Sequence, residues 1–436
     1  MDNVFVVGLE PFNLQLLEGL NTDQQRYRFL PLFNTSEVVY PEDFRFPPLK
    51  DLIRRAQQTF GEFDGPVDGI LGYWDFPTSA LVPLLQKDQG LPGPSLESVA
   101  RCEHKFYSRT EQKKVVPEMV PDFQAVNPFA EDPVADITID YPFWIKPVKS
   151  HSSFLGFYID SPDTLREALK TIRRDIFRLA EPFNEFLAEA DLPDEIAAVD
   201  GYHCIAEEIV SARHQCTLEG YCWNGQINIF GIVDSLRTGK HGSSFSRYQY
   251  PSVLPREDQA RAIEAARKVM RHMDYNNGAF NIEFYWDPDR DSLALLEINC
   301  RVSKSHSPLF LLVDGATNQK VPLDLTLGHK PEFPHREGRH HYAAKFMIRF
   351  FEDGILERVP DERDLERLRA TYPEAMVNLE AEQGMRLRDI PFQDSYSYEV
   401  GVVFLGGDSP GELEEKFEKV QEILDFRVKP LDEEAS

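Results

Sequence analysis

The sequence predicts a mixed α/β and α+β protein: an open α/β domain at the N-terminus, a hairpin-rich core, and an α+β unit at the end. Strand-like and helix-like runs alternate over the first 95 residues. The turn signals NG at 224–225 and DPDRDS at 287–292 each separate two alternating runs, the pattern of antiparallel hairpins. Beyond residue 325, two strand-like runs precede a capped helix.

Residues 4–8, VFVVG, form a short apolar run followed by a helical pattern through Leu20, and GPVDGILGYWD at 65–75 repeats the strand-then-turn theme. The helix-like TSALVPLLQKDQG and the punctuating GLPGPS at 90–95 close a first domain spanning 1–95. Gly8 alone makes no nucleotide fingerprint, because no further glycines follow at the required spacing.

A second unit spans 96–210. LESVARCEHKFYSRT at 96–110 reads as one helix with Lys105 and Arg109 four apart on one face, which is a basic helix edge or a phosphate site. FWIKPVKSHSSFLGFYI at 143–159 reads as strand, loop, strand, with Lys146 at the first strand's end and Lys149, Ser152 and Ser153 near the tip. Hydroxyl groups beside two lysines suit phosphates, and equally a plain polar turn. Ser161 caps a helical pattern over 161–190, and Glu207 and Glu208 end an apolar run at a turn.

A third unit, 211–325, holds the hairpin at 224–225, a weakly periodic loop at 236–255 with Arg237, Lys240, His241, Ser243, Ser244 and Arg247, and an amphipathic helix at 256–273. Loops on a scaffold often carry binding chemistry, and Arg247 is a candidate to grip a substrate carboxylate. The stretch from Asn277 to Arg301 follows. Phe280, Ile282, Phe284 and Trp286 alternate with Asn281, Glu283 and Tyr285, and Ala294, Leu296 and Ile298 alternate with Leu295, Glu297 and Asn299. A turn centred on Arg290 sets Glu283 opposite Glu297 and Asn281 opposite Asn299. Like charges so placed repel, and a cation is one remedy. Two carboxylates and an amide suit Mg²⁺. The competing reading is an edge hairpin with a solvated charged face.

The fourth unit, 326–436, contains strand-like runs at 340–354 and 396–407 and a helix at 409–424 capped by Ser409.

With 73 acidic against 47 basic residues and a formal charge of −26, the chain is poorly suited to nonspecific nucleic-acid or anionic-membrane surfaces, which leaves small molecules as partners. Five cysteines without paired short spacing, no secretory n-region and no 18-residue apolar run point to a cytoplasmic protein. No GxSxG or HExxH string suggests another enzyme class.

In their order, CEHKFYSR, a strand ending IKP, the acidic EEIV and a hairpin closing in LEINCR resemble the ATP-grasp carboxylate–amine ligases over residues 1 to about 310. The resemblance implies a pre-ATP-grasp domain, an ATP-grasp fold with a small lid, and ATP with Mg²⁺ (or Mn²⁺) as cofactors. It assigns Glu283, Glu297 and Asn299 to the metal, Lys105 and Lys146 to the phosphates with Ser152 and Ser153 in the lid, and Arg301 to the reacting phosphoryl group. It gives Glu207, Glu208, Ile209 and Val210, with His214, to the nucleotide; the loop 236–255 and the region 303–311, including Ser303, are the candidates for substrate specificity. It further implies acylphosphate formation from a small carboxylate, attack by an amine, expected to be an amino acid, with release of ADP and phosphate, and an assembly that is often a homodimer. A phosphotransferase lacking an amine acceptor and a non-catalytic nucleotide-binding module are the alternatives. The family's lid is usually glycine-rich, whereas this one reads SHSSFLG. VSKSHS at 302–307 replaces the Val-Glu-His run of biotin carboxylases, and no Met-Lys-Met motif is present, so carboxylation of biotin is disfavoured.

Overall fold

The computed structural model describes residues 1–151, 154–210, 214–239, 244–379, 381–390 and 397–431. Strands β1 (Asp2–Val7), β2 (Tyr27–Leu32) and β3 (Gly69–Leu71) make a parallel sheet of order β2-β1-β3. Its apolar strands are buried against helices Leu49–Glu62 and Thr78–Asp88, as parallel strands covered on both faces require. The chain leaves β1 toward one side and returns to the other, so the carboxyl ends of β1 and β3 border the crevice where open α/β sheets bind ligands. Gly8, at φ +68°, turns the chain there, and its carbonyl accepts the Trp74 indole N–H at 2.8 Å.

Strands β4 (Phe123–Val126), β5 (Phe143–Pro147), β6 (Phe157–Ile159) and β7 (Cys204–Glu208) form a separate antiparallel sheet of order β4-β7-β5-β6. Helix Pro162–Asp175 covers it with Leu165, Ala168, Leu169 and Ile172, and Ser161 caps that helix by accepting the Thr164 N–H at 3.3 Å.

The remaining strands are β8 (His214–Trp223), β9 (Gln226–Thr238), β10 (Ser244–Tyr250), β11 (Gly278–Asp287), β12 (Ser292–Asn299), β13 (Tyr342–Phe350), β14 (Gly354–Arg358), β15 (Met376–Leu379), β16 (Tyr398–Gly407) and β17 (Arg427–Pro430). Eight of them build one sheet of order β12-β11-β8-β9-β10-β13-β16-β15, while β14 and β17 pair apart. Asn224 and Gly225 join β8 to β9 at φ +49° and +75°, as a two-residue type I′ turn demands. The strands after residue 326 mostly extend this large sheet. The N-terminal sheet and the hairpin share one continuous core, which runs from Val4 and Ile70 to Phe280 and Leu295. No helix among the described residues is long and apolar enough to cross a membrane.

Three local expectations change. The helix expected over 96–110 is two, Leu96–Glu103 and Lys105–Val115, broken at His104 (ψ 104°), whose Nδ1 accepts the Tyr107 N–H at 3.2 Å and caps the second. The loop expected over 236–255 is largely strand, because β9 runs to Thr238 and β10 begins at Ser244; Lys240, His241 and Ser243 lie outside the described residues.

The third change is in the hairpin. Glu283 faces Glu297 and Asn281 faces Asn299, but Phe284 then faces Leu295, so Leu296 is an extra, bulged residue. A period of two makes one inserted residue exchange the faces. Leu293, Leu295 and Ile298 therefore fill the core, where alternation without a bulge expected Ala294, Leu296 and Ile298. The turn is centred half a residue before Arg290, and the bulge restores the expected pairing of the carboxylates.

Candidate active site

Residues of β8, β11 and β12 that face away from the core stand in two rows: Glu219, Asn281 and Asn299, then Thr217, Glu283 and Glu297. Over these rows stand the N-terminal turns of helix Lys105–Val115 and the strand ends β5 and β7. Lys105 bonds the Glu297 carboxylate and donates to the Ser150 carbonyl at 2.9 Å. One turn further, Arg109 donates to Glu207 at 2.5 Å and to the carbonyls of Leu295 and Leu296, at 2.8 and 2.7 Å, on either side of the bulge. Lys146 meets the other Glu207 oxygen at 2.5 Å. Lys149 pairs with Glu103, both nearly buried. The four-residue spacing of Lys105 and Arg109 thus sends two cations from one helix face to two different carboxylates.

Electrostatics separates the carboxylates. Burial pushes the Glu283 carboxyl up to about 7, and the Glu297 charge adds to it. Burial opposes charge on half-buried Glu297 as well, but Lys105 and Lys146 hold it below its ordinary value. Glu207, against burial, is brought down to about 2 by Arg109 and Lys146. Glu283 is the under-neutralised member: its hydrogen bonds are to the Gln215 amide at 2.8 Å and, weakly, to Asn299 at 3.5 Å. That imbalance fits a divalent cation. Among the described residues no group of three or more His, Cys, Asp or Glu is placed to hold a metal. Two carboxylates and an amide nevertheless match Mg²⁺, which completes its shell from water and phosphates.

Arg301 lies at the end of the hairpin. Its Nε and Nη2 donate to Asp75 Oδ1 at 2.9 and 2.5 Å, so the carboxyl end of β3 reaches the site. Burial opposes charge on Asp75, but Arg301, His151 and Lys149 hold it well below the usual carboxylate range. Sequence reasoning missed Asp75, Glu103, Gln215, Glu219 and His306. Asp75 had a readable signal, a carboxylate directly after a parallel strand at the crevice edge.

The structure brings Lys105, Lys146, Glu207, Glu283, Glu297, Asn299 and Arg301 together, with Ser303 beside them, its backbone N–H bonded to Glu219 at 3.0 Å. Glu208 is exposed, Ile209 and Val210 are half-buried, and His214 opens β8 with its ring 5.0 Å from Trp286. Ser152 and Ser153 lie outside the described residues. Arg247 is elsewhere: its neighbour Tyr248 faces His306, so Arg247 points to the other side of the sheet, where it pairs with Glu414 at 2.7 Å. It does not reach the cleft. Lys105, Arg109, Lys146, Glu207 and Glu297 together line a narrow gap beneath the sheet that bears Lys146.

A small lysine-bearing sheet closed over opposed carboxylates of a large antiparallel sheet, behind a parallel N-terminal domain, defines the ATP-grasp fold. Residues 236–320 match the family model described as carbamoyl-phosphate synthase L chain, ATP binding domain. An L-amino acid ligase from Bacillus licheniformis superposes with a TM-score of 0.71 at 16% identity, covering 99% of each chain. A biotin carboxylase from Campylobacter jejuni, solved as a β,γ-ATP complex, gives 0.64 at 12% identity over 98% of this chain and 92% of its own. An N5-carboxyaminoimidazole synthetase from Staphylococcus aureus, complexed with ADP, gives 0.64 at 15% over 96% of each. Comparison with curated protein sequences finds no match. The chain thus shares the fold of these proteins over nearly its whole length, and residues 236–320 match the ATP-binding domain model.

Proposed function

We propose that the chain is an ATP- and Mg²⁺-dependent ligase that activates a small carboxylate as an acylphosphate and joins it to an amine, releasing ADP and phosphate. The observation that carries this reading is the facing pair Glu283 and Glu297 beneath Lys105 and Lys146, with Arg301 at the same edge. Glu283, Glu297 and Asn299 would hold the metal, which supplies charge neutralisation to the phosphates. Lys105 and Lys146, now spent on Glu297 and Glu207, turn toward phosphate oxygens when the cleft opens. Arg301, oriented by Asp75, faces the transferred phosphoryl group. Phosphoryl transfer asks mainly for such positioning and neutralisation. Glu208 to Val210, with His214, border the nucleotide, and the loop from Ser303 borders the substrate.

Phosphate release from ATP and Mg²⁺ with paired carboxylates and amines, followed by mass identification of the product, tests the reading. Phosphate release that needs both partners and yields an amide supports it. Release with a carboxylate alone, giving a stable phosphorylated product, would show a phosphotransferase instead.

The Glu283 carboxyl, pushed up to about 7, makes metal affinity pH-dependent. A cation binds the ionised form, so below pH 7 affinity for Mn²⁺ falls roughly tenfold per pH unit, and above it levels off. Calorimetric titration of Mn²⁺ between pH 5.5 and 8.5 reads this slope, and Glu283→Gln abolishes it.

Asp75→Asn removes a charge-assisted bond to Arg301, worth roughly 1.5–3 kcal/mol for hydrogen bonds to charged groups. Turnover falls about 10–100-fold while the KM for ATP changes little. An unchanged kcat would remove Asp75 from the machinery.

A further inference from the structure

Glu219 stands in β8 beside Asn281, one row from Glu283 and Glu297, and is wholly buried. Its Oε1 accepts the Ser303 N–H at 3.0 Å and lies 2.8 Å from His306 Nδ1, while its Oε2 has no partner among the described residues. A carboxylate at Nδ1 fixes that nitrogen as the donor and leaves the imidazole lone pair on Nε2. Among the described residues Nε2 takes no hydrogen bond. His306 closes the turn Lys304–His306, five residues after Arg301, whose charge reaches Glu219. Tyr248 meets the ring edge-on at 5.4 Å. Lys345 donates to Ser305 Oγ at 3.2 Å, and Lys304 lies 3.7 Å from the Trp74 ring.

Nothing in phosphoryl transfer uses this pair. The second half of a ligase reaction does need one more group, because an aliphatic amine is protonated at neutral pH and has no lone pair to attack with. We propose that His306 is the base that takes a proton from the incoming ammonium, and that Glu219 is its positioning residue. The proposal rests on the ligase reading above. One N–H proton passes to Nε2, and the freed nitrogen pair forms the C–N bond at the acyl carbon. The acyl carbon–oxygen bond to the phosphoryl group breaks, its electron pair leaves on inorganic phosphate, and that phosphate takes the second nitrogen proton. The amine substrate is therefore a basic, aliphatic one, such as an amino acid, rather than a weakly basic aromatic amine.

Two nucleophiles separate the steps. Hydroxylamine is largely unprotonated at neutral pH and traps an acylphosphate as a hydroxamate without a base, whereas an amino acid needs one. In His306→Gln, hydroxamate formation should stay within about twofold of the wild-type chain while amide formation falls about 100-fold, the lower end of general-base contributions. Glu219→Gln should lower amide formation about tenfold and leave the hydroxamate alone. Thermal melting with and without ATP establishes that each variant folds and binds, and Glu219→Gln carries the test if His306→Gln does not fold. Equal loss of both products, or unchanged amide formation, in a folded variant would overturn the assignment. No hydroxamate from the wild-type chain with any carboxylate would instead sink the ligase reading, and the base assignment with it.

Discussion

Glu297→Gln lowers turnover by 10²–10³, about 3–4 kcal/mol of transition-state stabilisation, the range found when a single electrostatic group is removed from an active site. The substitution keeps the side chain's shape and hydrogen-bonding reach but removes one of the two charges proposed to hold the cation. It also strips Lys105 of its carboxylate, leaving that ammonium with the Ser150 carbonyl at 2.9 Å. Burial already lowers the Lys105 proton affinity, and the Glu297 charge offsets part of that, so in the variant Lys105 gives up its proton more readily. The proposed metal site and the lysine proposed to hold phosphate are weakened together, so raising Mg²⁺ is expected to restore only part of the rate. Steady-state ADP formation across a Mg²⁺ series measures this. Wild-type ADP formation in the variant would remove Glu297 from the metal site.

Glu207→Gln is expected to act on stability as well as turnover. Glu207 accepts Arg109 on one oxygen and Lys146 on the other, and all but about 6% of its side chain is covered. Replacing it leaves buried Arg109 and half-buried Lys146 facing a neutral amide, and breaking a buried pair typically costs about 3–5 kcal/mol. The pH dependence identifies the cause. The carboxyl is lowered in the folded protein from its ordinary 4.5 to about 2, so its contribution is fully present above pH 4.5 and is lost as pH falls toward 2. Urea unfolding at pH 7 should therefore show a large gap between wild type and variant, which narrows between pH 4.5 and 3. A gap that stays constant with pH would point to packing rather than charge.

What was legible in the sequence follows from which signals are local. Alternation with period two, the Asn-Gly turn and the opposed glutamates are properties of adjacent residues and were readable directly. The bulge at Leu296 was not, because the carbonyls there are held by Arg109, whose position nearly 190 residues earlier no periodicity reveals. His104 is a similar case: a helical pattern runs through it, yet its ring caps a new helix instead of continuing the old one. Arg247 was misplaced because composition reports that a loop is cationic but not which side of a sheet a residue faces, and one strand step decides that. Asp75, Glu219 and His306 were overlooked because each gains meaning only through a partner distant in the chain.

The bulge has a consequence for how the hairpin varies. Arg109 grips the carbonyls of Leu295 and Leu296, so the alignment of Glu283 with Glu297 is pinned from the cleft end of the ribbon and not from its tip. Beyond the clamp, Tyr285 and Trp286 stay paired with β8 and Leu293 stays in the core, so only the tip at 288–291 projects, with Asp291 bonded to Arg261. The tip at 288–291 is thereby released from any duty of keeping the carboxylates in step, and residues there can be exchanged or added without moving the two glutamates.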